Sequence, residues 1–159
     1  MIRKSPTYEH KWSILCRSTS IDKDSNTLSI LNVLEGITIA KIADETIKEK
    51  WLAAETKKPI TLPMDFEIIM LLERLDNKES GIMTKEGELE LVSPDGKSLL
   101  KKDIQINFQK GYKRLRYRIK MNGLNVAGPG TYNFCIKIRE SEEEPLVQVA
   151  EIPLDIKFN

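Results

Sequence analysis

One histidine, two cysteines, an Asp-Lys-Asp-Ser-Asn run and a row of arginines are the residues of this 159-residue chain with chemistry to offer beyond packing. His10 is the only imidazole, so general-base chemistry near neutral pH has a single candidate. It lies six residues before Cys16 on one extended segment. At the rise of a strand that is about 20 Å, too far for a local Cys-His pair. Cys135 stands between Phe134 and Ile136 with nothing beside it to lower its pKa, so an unreactive strand thiol is expected. No serine stands in a nucleophile elbow, and the carboxylates are spread without the spacing of an acid–base pair. No catalytic residues are therefore assigned, and the chain is expected to be no enzyme.

Asp22-Lys23-Asp24-Ser25-Asn26 imitates the first half of a calcium loop. The second half departs from it, with Thr27 where the loop needs Gly and Val33 where it needs Glu. A turn between strands accounts for the segment, and ion or small-ligand binding through Asp22, Asp24 and Asn26 is the alternative. Gly128-Pro129-Gly130 lacks the Gly-Lys-Ser/Thr of a phosphate cradle and reads as a turn leading into a strand. No Cys or His cluster has zinc-ligand spacing, so neither metal nor cofactor is expected.

The basic row is the feature that rises above background. Lys110, Lys113, Arg114, Arg116, Arg118 and Lys120 fall within eleven residues that contain no acid. On a strand, Arg114, Arg116, Arg118 and Lys120 share one face at about 7 Å intervals, a spacing suited to a phosphate backbone or an acidic protein. Against that, Glu86, Glu88 and Glu90 form a row of the same period that would neutralise the cations from an adjacent strand. With 25 Lys and Arg against 24 Asp and Glu, no global field attracts nucleic acid or a membrane surface. A solvated, ion-paired face is the first expectation for the row, and among partners an acidic protein is favoured over nucleic acid.

The elements that must carry these residues are strands. From Lys11 onward short segments alternate apolar and polar residues between turns, the pattern of half-buried strands. Strands are expected near Lys11–Ser18 with Trp12, Ile14 and Cys16 on one face, at Thr27–Val33, Ile37–Ile39 and Pro63–Leu75, and at Glu88–Val92 and Leu99–Phe108. Three more follow at Tyr112–Met121, Tyr132–Ile138 and Leu146–Phe158. Ser93-Pro94-Asp95-Gly96 sets a hairpin turn, because Pro presets φ and Gly accepts a positive one. Asn122–Gly130 is expected to be a loop, and Pro153, with no N–H to give a ladder, to mark an edge or bulge. Ala43, Ile47, Trp51 and Ala54 recur at helical spacing, with Asp44 as N-cap, so one short helix is expected at 43–57. Between Pro63 and Leu75, Phe66, Ile68, Met70 and Leu72 point one way and Ile69 and Leu71 the other. A strand apolar on both faces is covered twice, by that helix or by a partner.

Length and composition fit one self-sufficient domain. A chain of this size buries roughly 70% of the surface exposed when unfolded. Hydrophobic residues are 40% and charged residues 31%, far from the signature of disorder. The start, Met1-Ile2-Arg3-Lys4-Ser5-Pro6, has charge but no apolar stretch behind it, which argues against a secretory signal and for the cytoplasm. Reduced thiols at Cys16 and Cys135 follow from that location. The longest apolar run, Ile68–Leu72, is five residues, where a membrane-spanning helix needs about twenty.

Leu124-Asn125-Val126-Ala127-Gly128-Pro129-Gly130-Thr131-Tyr132-Asn133-Phe134, closing in Ile152-Pro153-Leu154-Asp155-Ile156, resembles the final hairpin of immunoglobulin-like sandwiches. With Leu28–Val33, the aliphatic strand after Pro63 and the Ser93–Gly96 turn, the stretch from Lys11 to Lys157 is similar to a family of small bacterial proteins of unknown function. The resemblance implies an all-β, antiparallel β-sandwich of immunoglobulin/C2-like type; the alternating pattern gives it about eight or nine strands, and the short helix near 43–57 is an insertion in the family's pattern. It implies no catalytic residues. One domain is expected over 1–159, with 1–9 a loosely ordered extension. The expected role is a non-enzymatic protein-interaction or scaffold module. Its surface would be Lys113, Arg114, Arg116, Arg118 and Lys120, or the Ile69 and Leu71 face. A homodimer through the edge near Pro153 or through that apolar face is the remaining alternative.

Overall fold

The computed structural model describes residues 5–39 and 59–158. The helix expected at 43–57 lies outside the described residues. Nine strands are present among the described residues: β1 (Tyr8–Ile21), β2 (Leu28–Val33), β3 (Gly36–Ile39), β4 (Ile60–Arg74), β5 (Met83–Val92), β6 (Ser98–Phe108), β7 (Arg114–Val126), β8 (Gly130–Ile138) and β9 (Val147–Phe158). They form a four-stranded sheet in the order β2-β1-β4-β7 and a five-stranded sheet in the order β3-β9-β8-β5-β6. Every ladder is antiparallel except that between β3 and β9. The molecule is an all-β sandwich.

Period-two alternation builds the core between the sheets. Phe66, Ile68, Met70 and Leu72 of β4 and Ile119 and Met121 of β7 face Leu89 and Leu91 of β5 and Tyr132, Phe134, Ile136 and Ile138 of β8, all buried. Phe66 and Phe134 meet edge to face across the layer, with ring centroids 5.6 Å apart. Fully burying each such side chain contributes about 1.5–3 kcal/mol, which no surface feature of this chain can match. The β5–β6 turn closes as its residues require. Gly96 takes φ +81° and donates to the Ser93 carbonyl at 2.9 Å. Tyr132, at the start of β8, donates its hydroxyl proton to the Gly128 carbonyl and accepts from the Ala127 amide, each at 2.7 Å.

Two elements depart from expectation. β1 begins at Tyr8, inside the stretch expected to be a loose extension, because the Thr7 amide and hydroxyl both donate to Glu140 and the Leu75 amide donates to the Thr7 carbonyl. β7 runs on through Asn122 to Val126, where a loop was expected. A bulge in β4 between Leu62 and Asp65 and a φ of +88° at Gly123 let both strands bend together. A side chain at Gly123 would also meet the Thr61 methyl at 2.7 Å. Pro153 pairs with Asn133 on one side only, since β3 joins β9 from Asp155 onward. No helix among the described residues is long and apolar enough to cross a membrane.

Candidate interaction face and groove

Among the described residues, the basic row from Arg114 to Lys120 lies on β7, an edge strand whose one ladder partner is β4. The register sets Arg114 beside Glu73, Arg116 beside Leu71, Arg118 beside Ile69 and Lys120 beside Glu67. On the far side of β4, β1 places Trp12 beside Leu71 and Ile14 beside Ile69. The basic row and the Ile69–Leu71 face, two surfaces in the sequence, are one surface in the fold. A bulge between His10 and Trp12 turns Trp12, Ile14 and Cys16 onto this outer face and Leu15 into the core.

The neutralising row expected from Glu86, Glu88 and Glu90 is not on this face. Those residues belong to β5, in the other sheet, where Lys137 binds Glu88 and Glu90, Lys101 stands 3.9 Å from Glu90 and Arg139 3.6 Å from Glu86. The acid that serves the basic row is Glu73. It accepts from Lys113 Nζ and Arg114 Nε, each at 3.1 Å, with Lys11 at 3.8 Å. Hydrogen bonds from Lys113 and Arg114 hold its carboxyl below the usual carboxylate range. Ile69 is 1% exposed and so offers no contact surface itself, while Leu71 is half-buried.

The β1–β2 hairpin supplies the rest. β1 leaves β4 after Cys16, and the hairpin tip folds back over the outer face. Thr19 donates its hydroxyl proton to Glu67 at 2.6 Å and accepts from Arg118 Nη1 at 3.2 Å. Arg116 Nη1 donates to the Asn26 carbonyl at 2.9 Å and to its side-chain oxygen at 3.2 Å. Between tip and sheet runs a groove of about 780 Å³, with Trp12 and Leu71 from the sheet, Ile21 and Leu28 from the hairpin, and Arg114 and Arg116 among its walls. Nothing in the period-two pattern announces this fold-back, so Trp12, Ile21 and Leu28 carry no functional signal in the sequence.

The remaining candidates stay apart. Asp22 Oδ1 accepts from the Asp24 and Ser25 amides, both at 2.8 Å, and these bonds hold its carboxyl below the usual range. Asn26 adopts φ +54° and its oxygens are engaged by Arg116. Asp22 Oδ1 and the Asn26 oxygens thus serve the turn and a guanidinium, an arrangement opposed to a cation at those atoms. Among the described residues no group of three or more His, Cys, Asp and Glu is placed to hold a metal ion. His10 shares a 2.6 Å hydrogen bond with Ser13, and burial lowers its pKa. Cys16 and Cys135 are free thiols on the outward sides of opposite sheets, with the core between them, and burial raises both pKa values.

No family model matches this chain, and no curated protein matches it in sequence. Among solved structures it is similar to a β-glucuronidase from glycoside hydrolase family 2, with 14% identity and a TM-score of 0.42. That likeness covers 64% of this chain and 11% of the enzyme. A likeness of this size carries nothing of the glycosidase's activity to this chain.

Proposed function

We propose that this chain is a non-enzymatic interaction module of immunoglobulin type that presents the β7 edge and its cationic face to an acidic protein. The observation that carries the reading is the register of β4 and β7. It leaves Arg114, Arg116, Arg118 and Lys120 facing two carboxylates, Glu67 and Glu73, with two aliphatic side chains between those. The row therefore keeps an excess of positive charge. Arg116 and Arg118 spend single N–H groups on neutral hairpin oxygens and retain their charge.

Three further observations favour this reading over its rivals. An acidic protein suits the row better than a nucleic acid, since the net charge of +1 gives no long-range field and Glu73 interrupts the row at one end. The immunoglobulin type is supported by the parallel β3–β9 pair and by Tyr132, whose hydroxyl bonds back to the backbone upstream of its own strand. An interaction role rather than catalysis is supported by the separation of His10, Cys16 and Cys135 and by the direction of their pKa shifts.

The test is affinity capture under nuclease treatment with wild type and with Arg116→Glu/Arg118→Glu. An acidic protein bound by wild type, lost in the variant and regained when its own contacting carboxylates are changed to lysine, supports the reading. Captures that are identical for the two proteins overturn it.

A further inference from the structure

We propose that the groove beneath the β1–β2 hairpin binds a small amphipathic carboxylate, an aromatic or branched aliphatic body bearing one carboxyl group. The inference is independent of the protein partner, because it requires only the groove. Its volume of about 780 Å³ lies within the usual range of small-ligand clefts, about 300–1,000 Å³. Trp12 and Leu71, neighbours in the β1–β4 ladder, give it an apolar side. Ile21 and Leu28, the last cross-strand pair of the hairpin, give it another.

The polar side of the groove selects the charge. Arg114 engages Glu73 through Nε, and Arg116 engages Asn26 through Nη1. Each guanidinium has five N–H donors in a planar fork. The remaining donors of both have no acceptor among the described residues. No described residue lining the groove is acidic. A carboxylate matches two adjacent forks in shape and sign, and the indole and leucine take up its apolar body. A neutral analogue of the same shape would leave the guanidinium donors unanswered.

The experiment titrates the full chain with 2-naphthoate, 2-naphthamide and acetate, following backbone and indole NMR shifts. The expected result is saturable naphthoate binding with shifts at Trp12, residues 21–28 and Arg116. Naphthamide and acetate should bind at least about tenfold more weakly, the first for want of charge and the second for want of a body. Arg114→Gln/Arg116→Gln should weaken naphthoate by about tenfold or more. Lys120→Gln, outside the groove lining, should leave it within about twofold. Equal binding of naphthoate and naphthamide, no saturable binding, or shifts elsewhere on the sandwich overturn the proposal, and none of these readouts depends on a variant folding. Lys120→Gln also separates the two readings, since it should weaken the acidic protein partner and spare naphthoate.

Discussion

On the five-stranded sheet, Glu86, Glu88 and Glu90 project from β5, which has β8 on one side and β6 on the other. On the four-stranded sheet, Arg114, Arg116, Arg118 and Lys120 project from β7, which among the described residues has β4 alone. Both rows are single-sign charges at every second position of a strand. The acids have Lys137, Lys101 and Arg139 within reach, so the outer face of β5 is neutralised from both flanks. The cations meet two carboxylates and two aliphatic side chains, so the outer face of β7 stays positive. What separates a neutralised row from one that keeps its charge is the position of its strand among the described strands, interior or edge. Charge composition and spacing are alike in the two rows.

The largest expected effect breaks the comparison at its base, the core that both faces share. Phe134→Ala removes the partner of Phe66 and leaves a cavity between the sheets. It should cost about 3–5 kcal/mol. Urea unfolding should show a lower midpoint at unchanged slope, with the two sheets lost in one transition by backbone amide signals. Separate transitions for the two sheets would mean that the faces belong to independent layers.

A smaller effect sharpens the contrast between the rows. Glu90→Gln takes from Lys137 its shortest ion pair in a part-buried site and should cost about 1–2 kcal/mol. Arg116→Gln removes a bond at an exposed hairpin and should change stability by less than about 0.5 kcal/mol while abolishing partner binding. Equal costs from paired urea curves would erase the distinction between grid and binding face.

Acid titration tests the ion pairs of the β5 face next. Hydrogen bonding to Lys137 holds the folded Glu90 carboxyl below its usual 4.5, so the unfolded state takes up its proton first as pH falls. The stability Glu90 contributes is present above about pH 4.5 and is lost as pH drops through its lower folded value. Glu73 shifts in the same direction, through Lys113 and Arg114, and loses its contribution over the same acid window. The measurement is stability by urea from pH 6 down to pH 3, where Glu90→Gln should fall less steeply than wild type. Parallel curves would mean that Lys137 and Glu90 do not pair in solution.

The comparison also marks how far sequence reasoning reaches. Local chemistry was legible: the Ser93–Gly96 turn, the inward set Tyr132, Phe134, Ile136 and Ile138, and the cationic face of β7 follow from spacing within one segment. Neighbours were not. Glu86, Glu88 and Glu90 have the right period to oppose the basic row, but strand order gives that place to β4, and Glu73 lies 41 residues from Arg114 in the chain. Which strands pair is a non-local outcome of packing both sheets on one core. The groove was hidden for a related reason. A bulge at Lys11, with neither Gly nor Pro to announce it, turns Trp12 outward. The fold-back of the hairpin rests on contacts such as Asn26 with Arg116, 90 residues apart.

The smallest expected effect is a zero, and it decides where on the four-stranded face function resides. The Asp22–Asn26 turn and the β7 row meet at one hydrogen-bonded pair, so a cation in the turn and an anion in the groove would compete for the same few ångströms. Asp22 Oδ1 already accepts two amides, and the Asn26 oxygens that would complete an ion's shell accept from a guanidinium. A divalent ion there would have to displace Arg116 or sit against its charge, and that repulsion opposes what Asp22 and Asp24 return. Calorimetry with calcium should therefore give no binding heat, and calcium should leave the melting temperature unchanged. Heat that disappears in Asp22→Ala would reverse the assignment. It would make the turn the ligand site and Arg116 a counter-charge released on binding, and the groove would lose the guanidinium anchor on which its preference for carboxylates depends.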